Sequence, residues 1–281
     1  MNEYEHSGSI VCGVDGSAAV FDAVRWAVQE ALRRDASLTM VHVVTPPVHR
    51  DRVFDAPDIG GDHARELLRE ARATAIDTGR HPRAIGVLVA HGRPDEHLIA
   101  ASRSARMLIL GNNGESATTI VAVGSTLLSV VESARCPVAV VRRYDPARRG
   151  AVVIGLDRSG NTTPDRVVAE GFRAAAMRGT ELMGLRADTM AGNLVHAAGR
   201  ADGVSATTSM FDRALDSFRA TYPGVRTSSV HAEGGAAVEL IALSRSAELL
   251  VLGHARGRPC GTTLISVLRH AHCPVLVVPH S

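Results

Sequence analysis

One glycine pattern in this sequence has the spacing to bind a phosphate. It follows a short apolar run, 107–110, and it ends where residues 126–134 take up helical spacing. Glycine lets main-chain N–H groups approach an anion without a Cβ in the way, and the N-terminus of a helix favours negative charge. The pattern Gly-x2-Gly-x9-Gly-Ser therefore predicts an anion-binding loop between a strand and a helix. Its members are Gly111, Gly114, Gly124 and Ser125.

The composition excludes several classes of chemistry. All 31 residues counted as Lys+Arg are arginine, because the sequence contains no lysine. That excludes the Walker-type P-loop, whose lysine contacts the phosphates, and every Schiff-base or lysine-base mechanism. Acidic residues number 29, the formal net charge is +2 and aromatic residues make up 3% of the chain. These values predict no basic surface for nucleic acid.

Length and hydropathy predict a soluble globular protein. With 281 residues, 45% of them hydrophobic, the chain can bury the cores of two ordinary domains. The longest apolar runs, such as 274–279, are too short to cross a bilayer, and residues 1–9 are polar and acidic, unlike a signal peptide. The four cysteines show no CxxC spacing, which suits a reducing compartment. We therefore expect a cytoplasmic protein that does not enter a membrane.

The chain contains an internal repeat with an offset of 142 residues. The matching segments are GVDGS at 13–17 with GLDRS at 155–159, SRSA at 102–105 and 244–247, and LILG at 108–111 with LVLG at 250–253. Further on, Cys136-Pro137-Val138 matches Cys273-Pro274-Val275, so the second copy has become shorter by then. The repeat predicts two domains, 1–143 and 150–281, joined by a linker that contains Pro146.

Strands and helices alternate along the first copy. The predicted strands are 10–14, 38–44, 84–90, 107–110 and 138–142, and the predicted helices are 17–33, 63–77, 95–102 and 126–134. Five strands alternating with four helices predict an α/β fold with a doubly wound parallel sheet in each copy. The ligand of such a sheet lies beyond the carboxyl ends of the strands, where the strand order reverses.

The two halves resemble universal stress protein domains in tandem. The motifs are VCGVDGS at 11–17, LTMVHV at 38–43, the glycine loop at 111–125 and Cys-Pro-Val at 136–138, and the resemblance covers nearly the whole chain. It implies two parallel five-stranded sheets of strand order 3-2-1-4-5, a flavodoxin-like or Rossmann-like nucleotide-binding fold repeated in tandem. In that order the reversal lies between the first and fourth strands, so Asp15 and Gly111 should lie at neighbouring strand ends.

The resemblance also implies an ATP site in the first domain. In that site Val14 and Asp15 lie at the ribose and nearby phosphates, Val43 offers its main chain to adenine, and the phosphates are surrounded by Gly111, Gly114, Gly124, Ser125 and Thr126. The implied role is that of a stress-response regulator or sensor with no catalytic residue and at most slow ATP hydrolysis. Asp-Gly-Ser before a helix is also common turn chemistry, so a structural role for Asp15 stays open, and Ser17 is the expected helix N-cap.

Two residues of the glycine loop argue against tight nucleotide binding. The residue before the second loop glycine is often basic in the family, but here it is Asn113, and Glu115 follows that glycine. A carboxylate 4 Å from another negative charge is repelled by about 1 kcal/mol in water, so Mg²⁺ is the expected companion of ATP. The alternative is a nucleotide-free dimerising scaffold that binds a protein partner.

The second copy departs further from a nucleotide-binding pattern. Its loop glycines, Gly253 and Gly261, are separated by seven residues. In the first copy twelve residues separate Gly111 from Gly124, so the loop of the second copy is shorter. Arg158 also replaces the glycine that follows the aspartate of the first strand. The second copy is therefore expected to carry a degenerate site and to serve mainly as a structural partner.

The histidines suggest neither a metal site nor a catalytic triad. His270 and His272 precede Cys273, but side chains two residues apart on a helix point in different directions. His91 and His97 have no acid or nucleophile at a matching spacing.

Assembly is predicted from the fifth strands, 138–141 and 275–278, which are apolar and lie at the sheet edges. In the family such strands pair domain to domain, so the two copies should pair within one chain. Two chains should also form a homodimer, because the apolar loop 117–123 would otherwise be exposed.

Overall fold

A computed structural model of the chain describes residues 8–17, 19–45, 59–77, 82–112, 123–156, 165–187, 216–232 and 235–281. It divides into two compact units. The first comprises Met1–Tyr144 with Arg256–Arg258, and the second comprises Asp145–Ala255 with Pro259–Ser281. No helix among the described residues is both long enough and apolar enough to span a lipid bilayer.

The first unit alternates strands and helices as predicted. Its elements are β1 (Ile10–Gly13), α1 (Ala19–Arg33), β2 (Leu38–Val44), α2 (Ile59–Ile76), β3 (Ile85–His91), α3 (Pro94–Ala101), β4 (Met107–Gly111), α4 (Ser125–Ser133) and β5 (Val138–Val141). All strand pairs are parallel and the order is β3-β2-β1-β4-β5. The apolar runs of β1, β4 and β5 are buried because helices cover both faces of the sheet.

The second unit has the same architecture. Its described elements are β6 (Val152–Leu156), α5 (Asp165–Arg178), β7 (Leu182–Ala187), β8 (Thr227–Ala232), α6 (Ala236–Leu243), β9 (Leu249–Ala255), α7 (Thr262–His270) and β10 (Val275–His280). The order β8-β7-β6-β9-β10 is again parallel throughout. Both units therefore have strand order 3-2-1-4-5, and the predicted α/β fold, repeated in tandem, is confirmed.

The recurring SRSA segment is explained by one hydrogen bond in each unit. Ser102 Oγ accepts from Arg135 N at 3.0 Å, and Ser244 Oγ accepts from His272 N at 2.9 Å. Both serines are buried, at the C-terminal ends of α3 and α6. Each joins the end of one helix to the turn that leads into the last strand of its unit, so this repeated motif serves the fold.

A buried ion pair fixes the C-terminal half of α1. Arg34 Nε donates to Glu30 Oε1 at 2.7 Å, with 2% and 0% of the two side chains exposed. Arg106 Nη1 donates to the main-chain oxygen of Arg34 at 2.7 Å. The helix is thereby tied to the residue just before β4, and its opposite end contacts the carboxyl end of that strand.

Candidate functional site

The centre of the candidate site is the edge of the first sheet where β1 and β4 end. β1 pairs with β4 through Cys12↔Ile109 and with β2 through Gly13↔Val41. The strand order therefore reverses between β1 and β4, as predicted. Asp15 follows β1 and Gly111 closes β4, so both residues lie at this reversal, where parallel α/β sheets bind their ligands.

The turn after β1 places Asp15 at the exposed edge. Asp15 Oδ1 accepts a hydrogen bond from Ser17 N at 3.0 Å. Between them Gly16 has a φ of 78°, and a Cβ there would lie 3.3 Å from Leu67 Cδ1, so glycine is needed for both conformation and space. Asp15 thus has the turn role that the sequence left open, and this role occupies only one of its two carboxylate oxygens.

Ser17 does not cap α1 through its side chain, so that expectation is wrong. Its Oγ is buried and has no hydrogen-bond partner among the described residues, whereas its main-chain oxygen accepts from Val20 N at 3.1 Å. The Asp15 carboxylate takes the main-chain N–H of Ser17 instead. The physical reason is competition within the turn: the N–H of Val20, which a capping hydroxyl could accept, is donated to the main-chain oxygen of Ser17 instead.

Gly111 allows close contact between the end of β4 and the start of α1. A Cβ at this position would lie 3.4 Å from the main-chain carbon and oxygen of Ala19 and 3.5 Å from Val20 N. A side chain beyond Cβ would have to displace the first turn of the helix. The glycine therefore has a packing role in addition to its proposed place beside the phosphates.

Gly124 is the N-cap of α4 and has no comparable packing role. Its φ of −58° is open to any residue, and a Cβ would have no described atom within 4 Å. The first hydrogen bond of the helix runs from Leu128 N to Gly124 O at 3.1 Å, and no side chain of the described residues caps this end. The main-chain N–H groups of Ser125 and Thr126 therefore have no partner within the helix and face the carboxyl edge with the positive end of its dipole.

Val14 and Val43 bound the site on the β2 side. Val14 is buried, and its N–H donates to Val41 O at 2.8 Å, which extends the contact of β1 with β2 beyond the strand itself. Val43 is half-buried and pairs with Ala90 of β3 on its other side. Since β1 has already ended, the main chain of Val43 borders the space beyond it, where adenine is expected.

His42 is a site residue that sequence reasoning missed. Its Nδ1 lies 2.7 Å from Val14 O, at the end of β1. The available signal was a single ionisable residue in the otherwise uncharged strand LTMVHVV. The hydrogen bond joins two segments 28 residues apart, which neither strand periodicity nor the glycine pattern could reveal.

An exposed ion pair and a buried thiol lie near this edge. Arg93, which precedes α3, donates to Asp95 Oδ2 at 2.9 Å and lies 3.3 Å from Glu96 Oε1. The hydrogen bond from Arg93 lowers the pKa of Asp95 below its usual value. Burial raises the pKa of the Cys12 thiol to about 12, and the charge of Asp15 adds to this effect, so the thiol stays protonated at neutral pH and is no nucleophile.

The second unit has a different strand ending at the equivalent edge. β9 runs on past Gly253 to Ala255, and β10 runs on to His280, with His254↔Pro279 and Ala255↔His280 in register. In the first unit the corresponding strand ends at Gly111. The strand after the loop glycine is therefore two residues longer in the second unit, as expected if its edge differs from the edge of the first.

Several predicted residues lie outside the described part of the chain. They are Asn113, Gly114, Glu115 and the apolar loop up to residue 122, together with Asp157 and Arg158 of the second copy. Among the described residues, no three His, Cys, Asp or Glu side chains are grouped so that they could hold a metal ion.

Comparison with known proteins decides the family. The sequence model described as the Universal stress protein family matches residues 7–142 and again residues 149–279. The chain belongs to this family. A universal stress protein of Mycobacterium tuberculosis (strain H37Rv), Rv2005c, is 30% identical to it over 100% of both chains.

A solved structure agrees with the fold of this universal stress protein. The crystal structure of a universal stress protein from Archaeoglobus fulgidus covers 98% of this chain and 99% of its own, with a TM-score of 0.70 and 16% identity. At that identity the likeness shows the fold alone. Another universal stress protein from Archaeoglobus fulgidus, solved in complex with dAMP, covers 49% of this chain and 99% of its own, at 22% identity and a TM-score of 0.38. That likeness is too remote to transfer its ligand.

Proposed function

We propose that this universal stress protein binds ATP at the carboxyl edge of its first sheet and acts as a stress-response regulator or sensor. The observation that carries the proposal is the position of the α4 N-terminus. The first N–H groups of α4 have no partner within the helix, and anions bind at such helix ends. The preceding residue, Gly124, could carry a Cβ without touching any described atom within 4 Å, so packing does not explain the glycine. The same unit has the topological switch point at the ends of β1 and β4.

Each part of the nucleotide has a proposed set of residues. The main-chain N–H groups of Ser125 and Thr126, with Gly111, Gly114 and Gly124, would hold the phosphates. Val14 and the Asp15 carboxylate oxygen that does not bond Ser17 N would lie at the ribose, and the main chain of Val43 would meet adenine. Mg²⁺ would offset the negative charges of Asp15 and Glu115 beside the phosphates.

Titration calorimetry with ATP and Mg²⁺ tests the proposal. We expect saturable binding with one nucleotide per chain, because only the first repeat keeps the long glycine loop. No heat at millimolar ATP would refute nucleotide binding, and two equivalent sites would refute its restriction to the first repeat. In the same sample, hydrolysis faster than about 1 s⁻¹, the low end for ordinary enzymes, would contradict a regulatory role.

A second candidate, a nucleotide-free scaffold that dimerises and binds a protein partner, is favoured by Asn113 and Glu115. The two candidates differ in what is purified with the chain. A scaffold would carry no nucleotide, judged by mass spectrometry of the supernatant after denaturation. A regulator would carry adenine nucleotide or take it up on addition.

Both candidates include association of two chains. We expect sedimentation to give twice the chain mass of 29.6 kDa at micromolar concentration, because the loop 117–123 is apolar. Replacing two apolar residues of this loop, Ile120 and Val121, by serine should shift the protein to a single chain. A mass of one chain for the unmodified protein would contradict the dimer.

A further inference from the structure

The hydrogen bond between His42 and Val14 defines the hydrogen positions on the imidazole. A main-chain oxygen can only accept, so the 2.7 Å contact requires the hydrogen on Nδ1 of His42. This holds for the neutral ring as well as for the charged one. The ring is half-buried at the end of β1, next to Val43 in sequence.

This bond is made to the oxygen that would continue the strand ladder by one more pair. Val14 N donates to Val41 O, so the main-chain groups of Val41 point toward β1. Every second residue of a strand points to the same neighbour, so the N–H and C=O of Val43 point toward β1 as well. In a continuing parallel ladder Val14 O would accept from Val43 N–H. Instead the pairing of β1 with β2 ends at Gly13↔Val41, and Val14 O accepts from the His42 ring.

In the second unit an arginine stands at the position of His42, and the strand pairing extends further. Its pair Gly155↔Leu185 corresponds to Gly13↔Val41, so Leu156 corresponds to Val14 and Arg186 to His42. There the ladder continues by one more pair, Leu156↔Arg186. A parallel pair at this register uses the oxygen of Leu156 and the N–H of Ala187, the counterpart of Val43. The equivalent main-chain group is thus used within the sheet.

We propose that His42 is a positioning residue that keeps the main chain of Val43 open to the base of a bound nucleotide. The inference rests on the proposed function, in which Val43 meets adenine. By holding Val14 O, the Nδ1–H of His42 stops the β1–β2 ladder one pair early, and the Val43 N–H and C=O remain available for the base edge. The first repeat thereby has a base-binding edge that the second repeat has lost to strand pairing.

Two substitutions of His42 distinguish the effect of its Nδ1–H donor from the effect of its side-chain size. His42→Asn places an amide N–H near the position of Nδ1, whereas His42→Leu removes the donor. We expect His42→Leu to let Val43 N–H bond to Val14 O, so that amide exchange of Val43 slows by roughly tenfold or more, about the effect of one net hydrogen bond. His42→Asn should exchange like the original protein. The amide of Ala187, already in the ladder, is the internal reference.

Nucleotide binding provides the second measurement on the same proteins. We expect His42→Leu to weaken ATP binding by roughly tenfold through loss of one hydrogen bond to the base, and His42→Asn to restore it. Inorganic tripolyphosphate, which has no base, should bind all three proteins equally.

The outcomes distinguish failure of the role of His42 from failure of the proposed function. Unchanged Val43 exchange in His42→Leu would refute the role of His42, whether or not ATP binds. Undiminished ATP binding by His42→Leu, or an asparagine variant that behaves like the leucine variant, would refute it as well. No ATP binding by the unmodified protein would refute the proposed function, and with it the assignment of the open edge to a base.

Discussion

Gly124→Val is expected to abolish ATP binding and to leave the fold intact. A valine side chain at the N-cap of α4 would project over the main-chain N–H groups that are proposed to hold the phosphates. The backbone at Gly124, with φ −58°, accepts any residue, and a Cβ there contacts no described atom within 4 Å. The stability cost should stay near the loss of a favourable N-cap, about 1 kcal/mol or less. Calorimetry should show affinity reduced by at least about a hundredfold, the effect of losing two or more hydrogen bonds to a charged group.

The second repeat offers a matched control for this variant. Gly261 is the N-cap of α7, and a Cβ there likewise has no described atom within 4 Å. Gly261→Val should cost the same small amount of stability and leave ATP binding unchanged, because β9 and β10 extend across the equivalent edge. Equal loss of binding in both variants would mean that the second repeat also holds nucleotide. Full binding by Gly124→Val would remove α4 from the site.

Glu30→Ala is expected to destabilise the first unit by roughly 3–5 kcal/mol, because it leaves the buried guanidinium of Arg34 without its carboxylate. Exposure of the two side chains is 0% and 2%, so water cannot replace the lost partner. Urea or thermal unfolding followed by circular dichroism measures the effect, and the midpoint of the first transition should fall by roughly 10 °C. ATP binding should weaken as well, since α1 contacts Gly111 at its other end.

Two controls distinguish the ion pair from simple loss of packing. Glu66→Ala removes an exposed partner of Arg69, in an i,i+3 pair where Glu30 and Arg34 are i,i+4, and should change nothing measurable. The double variant Glu30→Leu, Arg34→Met replaces both charges by apolar groups and should recover most of the lost stability. If the double variant is as unstable as Glu30→Ala, the loss comes from packing of α1 and the ion pair is not its cause.

The two repeats differ in the length of their strands at the edge where the first is proposed to bind nucleotide. In the first unit β1 stops at Gly13 and β4 at Gly111. In the second unit β6 pairs one residue further and β9 continues to Ala255. The proposed difference in binding therefore has two sources, the length of the glycine loop and the residues at which the hydrogen-bond ladders end.

The sequence by itself determined the architecture of this protein. The signals are local: apolar runs of strand length alternate with segments of helical spacing, and glycine and proline mark their ends. The internal repeat presents such signals twice. The predicted strands and helices therefore agree with the structure to within a few residues. The largest difference is α2, which begins at Ile59, four residues before the predicted start. Gly60 lies close to β2 there, since a Cβ would be 3.0 Å from Val44 Cγ1, and tertiary packing outweighs the low helix propensity of glycine.

Only the tertiary structure decided the details of the candidate site. The bond from His42 to Val14, the unpaired hydroxyl of Ser17 and the extension of β9 past Gly253 all depend on which atoms meet across the sheet. Residues far apart in the chain compete for the same acceptor or the same ladder position, and differences of one hydrogen bond decide the result. The periodicity of apolar residues predicts the face of a helix or strand on which a side chain lies. It does not predict which hydrogen-bond partner the main chain of that residue will have.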